Sequence, residues 1–258
     1  MPGFLGRRKA LIVLHQAHST PGRVGALLQR QGLELDIRRP PLGDPLPSTL
    51  AGHEAVAMFG GPMGVNDPDP WIRRQIDWLA VPLKENKPFL GLCLGAQMMA
   101  RQLGARVFNH PDRRGEAGYY AIRPTAAGET LCPARFPRHV YQWHFDGFDL
   151  PHGGTLLARG GGDFPNQAFR FGDAFGLQFH PEVTYQMMCR WTTRGFERLC
   201  RPGARPPHEH LDGWRQYDDE VVRWLETFLP CWLDRSLPAA DHGAANTAPL
   251  AAAAYPEV

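Results

Sequence analysis

A chain of 258 residues with 43% hydrophobic content is long enough for one large domain with a substantial core, or two small ones. A formal net charge of +2 without a long basic block gives no case for nucleic-acid or membrane-surface binding. Five cysteines (Cys93, Cys132, Cys189, Cys200 and Cys231) make an odd set with no C-x-x-C pair, which predicts reduced thiols in a cytoplasmic protein.

The opening stretch MPGFLGRRKALIVL carries too short an apolar run for a signal-peptide core, and no small-residue cleavage site follows it. KALIVL (9–14) reads as a strand buried on both faces. Helical spacing then runs from Thr20-Pro21-Gly22 to Gln31, and residues 33–37 alternate like a strand. After the Pro-rich loop PPLGDPLPS, AVAMF (55–59) is a second buried strand that stops at Gly60-Gly61-Pro62. Residues 69–79 hold Trp71, Ile72, Ile76 and Leu79 at helical spacing. A further strand covers 87–92, and a helix follows directly over 94–103. FLGLCLGAQMMA is too short to span a bilayer and carries Gln97. Apolar strands alternating with helices predict a mixed, mostly parallel sheet with helices on both faces, a flavodoxin-like α/β class.

Beyond Gly104 short strand-like runs separated by Gly, Pro and Asp fill 105–179: ARVF, YYAIRP, HVYQWH, GTLLA, QAFRF and FGLQF. They predict an outer, antiparallel part of the same sheet. Helical patterns return over 183–199 and 218–233, with the loop PGARPP between them. On this reading one domain covers 1–236 with a C-terminal helical extension, and the Ala- and Pro-rich tail 237–258 is disordered. His208 and His210 fall in the Pro-rich loop and are expected to be solvated. Trp214, Trp224 and Trp232 are expected to pack the last helix. His139, His144 and His152 lack metal-ligand spacing, and Gly160-Gly161-Gly162 is not followed by Lys-Ser/Thr, so no metal, phosphate loop or cofactor is implied.

Three stretches carry chemistry. In Gly91-Leu92-Cys93-Leu94-Gly95 a cysteine sits between a strand and a helix, on a turn whose glycines let the two backbones approach. At a helix N-terminus the dipole favours negatively charged sulfur. Taken alone, the stretch also fits a buried core thiol. FHPEV places His180 and Glu182 two residues apart at a strand end, so that a carboxylate can orient an imidazole base. GGPMG follows AVAMF, and its Gly61 N–H can join that of Leu94 in an oxyanion hole.

GLCLGAQ, GGPMG and FHPEVT, in this order and at these separations, resemble class I glutamine amidotransferases, in particular stand-alone members related to the amidotransferase domain of GMP synthase. The likeness spans roughly 8–200. It implies a Cys93-His180-Glu182 triad, the Gly61/Leu94 oxyanion hole, and a glutamine pocket lined by Gly60 and Gln97. YQWHFDGFDLP is similar to the family segment whose backbone holds the α-amino and α-carboxyl groups of glutamine, with Trp143, His144 and Phe145 at the matching positions.

Three functions follow from the resemblance. The first is a glutaminase that passes ammonia to an acceptor on a separate synthase, since no ATP-pyrophosphatase or other synthase domain follows the match. The second is a stand-alone γ-glutamyl peptidase. The third is a silent, chaperone-like or redox-sensing relative, against which the presence of both His180 and Glu182 argues. The core motifs hold no arginine to grip a peptide tail, although Arg170 or Arg190 could reach from flanking elements. Glutamine is therefore expected to outrun γ-glutamyl dipeptides as substrate.

Overall fold

The computed structural model of the chain describes residues 8–238, so that the expected disordered tail lies outside the described residues from 239 onward. Leu237, at the start of that stretch, packs against the core. The first half alternates strand and helix: β1 (Lys9–Val13), α1 (Gly22–Arg30), β2 (Glu34–Arg38), β3 (Ala55–Met58), α2 (Pro70–Trp78), α3 (Ala80–Lys84), β4 (Phe89–Leu92) and α4 (Leu94–Gln102). The second half is mostly strand: β5 (Val107–Asn109), β6 (Glu116–Pro124), α5 (Ala126–Glu129), β7 (His139–His144), β8 (Asp146–Phe148), β9 (Thr155–Gly160), β10 (Asn166–Phe171) and β11 (Ala174–Leu177). Three helices close the chain: α6 (Tyr185–Arg194), α7 (Phe196–Leu199) and α8 (Pro207–Leu233).

Nine strands form one mixed sheet in the order β2-β1-β3-β4-β11-β10-β9-β6-β7. Pairings from β2 to β11 are parallel, and those from β11 to β7 are antiparallel. Side-chain alternation splits the parallel half between two cores. Ala10, Ile12, Ala57 and Leu92 face α1 and α8. Leu11, Val13, Val56 and Met58 face α2 and α4. Covering both faces is what allows strands as uniformly apolar as KALIV and AVAM. Among the described residues no helix is long and apolar enough to cross a membrane.

Three expectations change. ARVF does not join the main sheet: β5 pairs with β8, a strand the sequence pattern gave no reason to expect, in a two-stranded sheet of its own. The helix expected over 183–199 begins after Thr184, whose Oγ1 accepts from the Met187 N–H, and is interrupted at Gly195. There a Cβ would stand 2.7 Å from Trp143 Cζ2, so the chain must pass Trp143 without a side chain.

The third change concerns the C-terminal helix, which starts eleven residues earlier than the 218–233 pattern. Pro207 occupies its first turn, where a missing N–H costs nothing. His210 is therefore fully buried rather than solvated. The Tyr141 hydroxyl donates to its Nδ1 (3.0 Å) and its Nε2–H donates to the Arg205 carbonyl (3.0 Å), with burial holding the ring below the usual imidazole range. His208 is exposed, as expected.

Trp224 and Trp232 are buried under α8. The helix is tied down by Asp218, whose carboxylate receives Arg23 Nη1 and Nη2 at 2.9 and 2.5 Å and the Tyr119 hydroxyl at 3.0 Å. Asp218→Ala leaves a largely buried guanidinium and a buried hydroxyl without their acceptor. It should destabilise the fold by about 3 kcal/mol, read as a lower urea midpoint at unchanged slope.

Candidate active site

The site forms where parallel strands end. The loops after β1, β3, β4 and β11 meet at one edge, the place where open α/β sheets hold ligands. Cys93 sits between β4 and α4 with φ +50° and ψ −106°, a conformation L-residues rarely adopt. The strained turn is clamped from both sides. The Cys93 N–H donates to the Leu177 carbonyl (2.8 Å), and the Gln97 N–H donates to the Cys93 carbonyl (3.0 Å). The flanking glycines mark the closest approaches: a Cβ on Gly91 would lie 2.7 Å from the Gly95 carbonyl carbon, and one on Gly95 would lie 2.2 Å from the Met58 carbonyl oxygen. The thiol is only 5% exposed, but it lies against a cavity rather than inside the core.

His180 is anchored through its backbone, whose N–H donates to the Tyr141 carbonyl (2.9 Å). Its Nδ1–H donates to Glu182 Oε1 at 2.8 Å, both side chains being buried. The backbone of Glu182 is itself fixed, its carbonyl accepting from the Arg23 N–H (2.9 Å). Among the described residues no well-aligned hydrogen bond reaches His180 Nε2. Burial disfavours the charged ring, but the Glu182 carboxylate and the Cys93 sulfur outweigh it and push His180 up to about 10. At neutral pH the ring is thus an imidazolium next to sulfur.

Gly60 fits between Cys93 and His180. A Cβ on it would meet His180 Cε1 at 2.9 Å and Cys93 Cβ at 3.4 Å. The following peptide is held by His15, a buried histidine whose Nδ1 lies 3.2 Å from the Gly60 carbonyl oxygen and whose Nε2 lies 3.1 Å from Gln75 Oε1. In a trans peptide the N–H points opposite to the C=O, so tethering the Gly60 carbonyl turns the Gly61 N–H away from His15. Sequence reading missed this pair, and His15 directly after an apolar strand was the available signal.

A cavity of about 220 Å³ brings together Gly60, Gly61, Cys93, Trp143, His180 and Glu182. The remaining expected residues are placed around it. The Leu94 side chain packs at Gly61, its Cδ2 lying 3.1 Å from where a Cβ on that glycine would be. Gln97 and His144 do not line the cavity. Gln97 Nε2 (3.1 Å) and His144 Nδ1 (3.0 Å) both donate to the Asp146 carbonyl and brace the 143–146 turn from behind. His144 Nε2 also meets buried Glu116 Oε2 at 3.0 Å. Phe145 lies under the Arg201 guanidinium, 4.2 Å from its ring centroid.

The two flanking arginines separate. Arg170 is directed away, its Nε donating to the Gly172 carbonyl (2.7 Å) and its Nη1 to that of Pro238. Arg190 lines the cavity, joined by Arg194 and Arg198. Sequence reading overlooked the latter two, although their spacing of four residues on a helix after FHPEV was visible.

Strand-to-helix cysteine, carboxylate-held histidine and glycine loop thus meet at one sheet edge of an α/β protein. The model of the class-I glutamine amidotransferase family matches residues 27–188, and the chain belongs to that family. Among curated proteins it is 27% identical over 183 residues to the glutamine amidotransferase-like protein YfeJ of Salmonella typhimurium, a match covering 67% of this chain and 75% of that one. It is 34% identical over 146 residues to a glutamine-hydrolysing GMP synthase of Thermomicrobium roseum, covering 55% of this chain but only 26% of that protein. Among solved structures, a glutamine amidotransferase of Thermotoga maritima superposes with a TM-score of 0.78 at 28% identity, covering 89% of this chain and 99% of the other. One of Methylobacillus flagellatus superposes with a TM-score of 0.80 at 25% identity, covering 93% and 100%.

Proposed function

We propose that this chain hydrolyses the side-chain amide of a γ-glutamyl compound through a thioester on Cys93. The observation that carries the reading is His180, held at Nδ1 by Glu182 at 2.8 Å and sharing with Cys93, whose sulfur interacts with its ring, the lining of one cavity. The Cys93 thiolate attacks the γ-carbonyl carbon, and the negative charge gathering on oxygen is received by the N–H groups of Gly61 and Leu94. His180 gives its proton to the departing nitrogen, then takes one from the water that cleaves the thioester. Glu182 keeps the ring in one orientation throughout. Gly60 and the backbone of 143–145 flank the glutamyl moiety, with Gln97 and His144 supporting that backbone. With glutamine as the amide, ammonia leaves, and a separate synthase would consume it.

The direct test is to quench the protein in acid during turnover of glutamine and map the peptides. A γ-glutamyl adduct on Cys93 is expected, and its absence while glutamate accumulates would overturn the thioester route. A second test uses the crowding at Gly60. A methyl group 2.9 Å from His180 Cε1 must move the ring, and misplacement by a fraction of an ångström to an ångström costs on the order of 100-fold. Gly60→Ala should therefore lose about that much in kcat/KM while melting near the wild-type temperature. A large drop in Tm, or full activity, contradicts this.

A further inference from the structure

The proposed chemistry leaves one end of the glutamyl group without a counter-charge. Its α-carboxylate lies about 5 Å from the carbon that Cys93 attacks when the side chain is extended, so it enters the cavity together with the reacting amide. Backbone N–H groups of 143–145 can orient a carboxylate, but they carry no net charge to offset the water it gives up. A cation fixed over this end of the cavity would supply that charge.

Arg198 stands in that position. It belongs to α7, beyond the interruption at Gly195 where the chain runs against Trp143. It is half-buried and lines the cavity together with Gly60, Cys93 and Trp143. Its Nη2 donates to the carbonyl of Pro62 (2.8 Å), the residue directly after Gly60-Gly61. Its guanidinium carbon lies 6.0 Å from the Phe145 ring centroid. One guanidinium thus reaches both segments that flank the glutamyl moiety, and the Pro62 bond fixes it while leaving other N–H groups of the fork available. Burial lowers the proton affinity of this guanidinium, and the Cys93 sulfur is foremost among the groups that favour its charge, with Arg201 acting against it and Asp146 for it. The cation is therefore within electrostatic reach of the nucleophile itself. Arg190 and Arg194 line the same cavity from α6. That helix sets the Trp191 edge on the His180 ring, with centroids 5.0 Å apart, and so belongs to the wall of the proton donor.

Resting on the amide hydrolysis proposed above, we infer that Arg198 is a specificity-determining residue that receives the α-carboxylate of the glutamyl substrate, adding a charged ligand to the backbone groups of 143–145. A planar carboxylate matches the guanidinium fork. The site then selects amides by the charge on their acyl side, whichever amine departs on the other.

The experiment compares kcat/KM for glutamine and for glutamine whose α-carboxylate is converted to a carboxamide, with the γ-carboxyl product identified by chromatography. The purified full chain is measured beside Arg198→Met, Arg198→Lys and Arg190→Met. In the wild type glutamine should exceed its α-carboxamide by about 10- to 100-fold, the scale of hydrogen bonds to a charged group. In Arg198→Met that ratio should fall by about tenfold or more, with the loss on glutamine carried mainly by KM. Arg198→Lys should keep part of the preference, since it retains the charge without the fork. Arg190→Met, on the opposite wall, should keep the wild-type ratio. Because each ratio is taken within one protein, a general loss of activity in a variant does not obscure it. Hydrolysis of both compounds at equal rates by the wild type would overturn the subsite and leave the thioester reading standing. A preference undiminished in Arg198→Met, or lost in Arg190→Met instead, would overturn the assignment to Arg198. No hydrolysis of either compound would overturn the amide reading and the subsite with it.

Discussion

Cys93→Ala is expected to reduce amide hydrolysis by about 10,000-fold or more, the range seen when a covalent nucleophile is removed from a working triad. The loss should be far larger than for any other cysteine. Cys132, Cys189 and Cys231 are half-buried and Cys200 is exposed, but none lines the cavity. A glutamine-derived diazoketone should accordingly alkylate Cys93 alone among the five cysteines, as read by peptide mass mapping. The fold should tolerate the change, since alanine keeps a Cβ at the apex and gives up only the 3.9 Å approach of sulfur to the Trp143 carbonyl and its interaction with the His180 ring. Alkylation spread over the other cysteines with Cys93 untouched would remove the nucleophile from the mechanism. Selective alkylation without turnover of any amide would instead point to a binding or sensing role for the same turn.

How far this site could be read from sequence depended on whether each part is local. Cys93, His180 and Glu182 sit in short motifs whose geometry is set by a few neighbouring residues: glycines at a strand-to-helix turn, and a proline between histidine and glutamate. The parallel strands were equally legible, because burial on both faces leaves an unbroken apolar run such as KALIV. What escaped was decided by distant contacts. The start of α8 was hidden because Pro206-Pro207 reads as loop until His210 is seen to need Tyr141 as a partner. β8 is three residues long and exists through pairing with β5, which no local pattern announces. Gln97 was expected to line the pocket on resemblance, whereas its side chain turns to the Asp146 carbonyl. Arg194 reaches the cavity as the last residue of α6, and Arg198 lies beyond the interruption at Gly195, where the chain passes Trp143.

His180→Ala should lower kcat/KM by roughly 100- to 10,000-fold, the usual worth of a positioned proton donor. Glu182→Gln should cost less at pH 6, and its deficit should widen as the pH rises. Burial by itself lowers the proton affinity of His180, and the carboxylate is foremost among the groups that reverse this and hold the ring near 10 against an ordinary 6.5. A neutral glutamine at 182 removes that support, so the imidazolium is lost in the neutral range and the leaving nitrogen goes unprotonated. The ratio of variant to wild-type kcat/KM should therefore fall steadily between pH 6 and 9. Stability should follow the same linkage. Between 6.5 and about 10 the folded chain holds a proton at His180 that the unfolded chain does not. Stabilisation from the His180–Glu182 pair is thus fully present below 6.5 and is lost as the pH rises through 10. The Tm gap between wild type and Glu182→Gln should be widest near pH 6 and close toward pH 10. A pH-independent activity ratio, or a Glu182→Gln loss exceeding that of His180→Ala, would mean that the carboxylate does something other than orient and charge the ring.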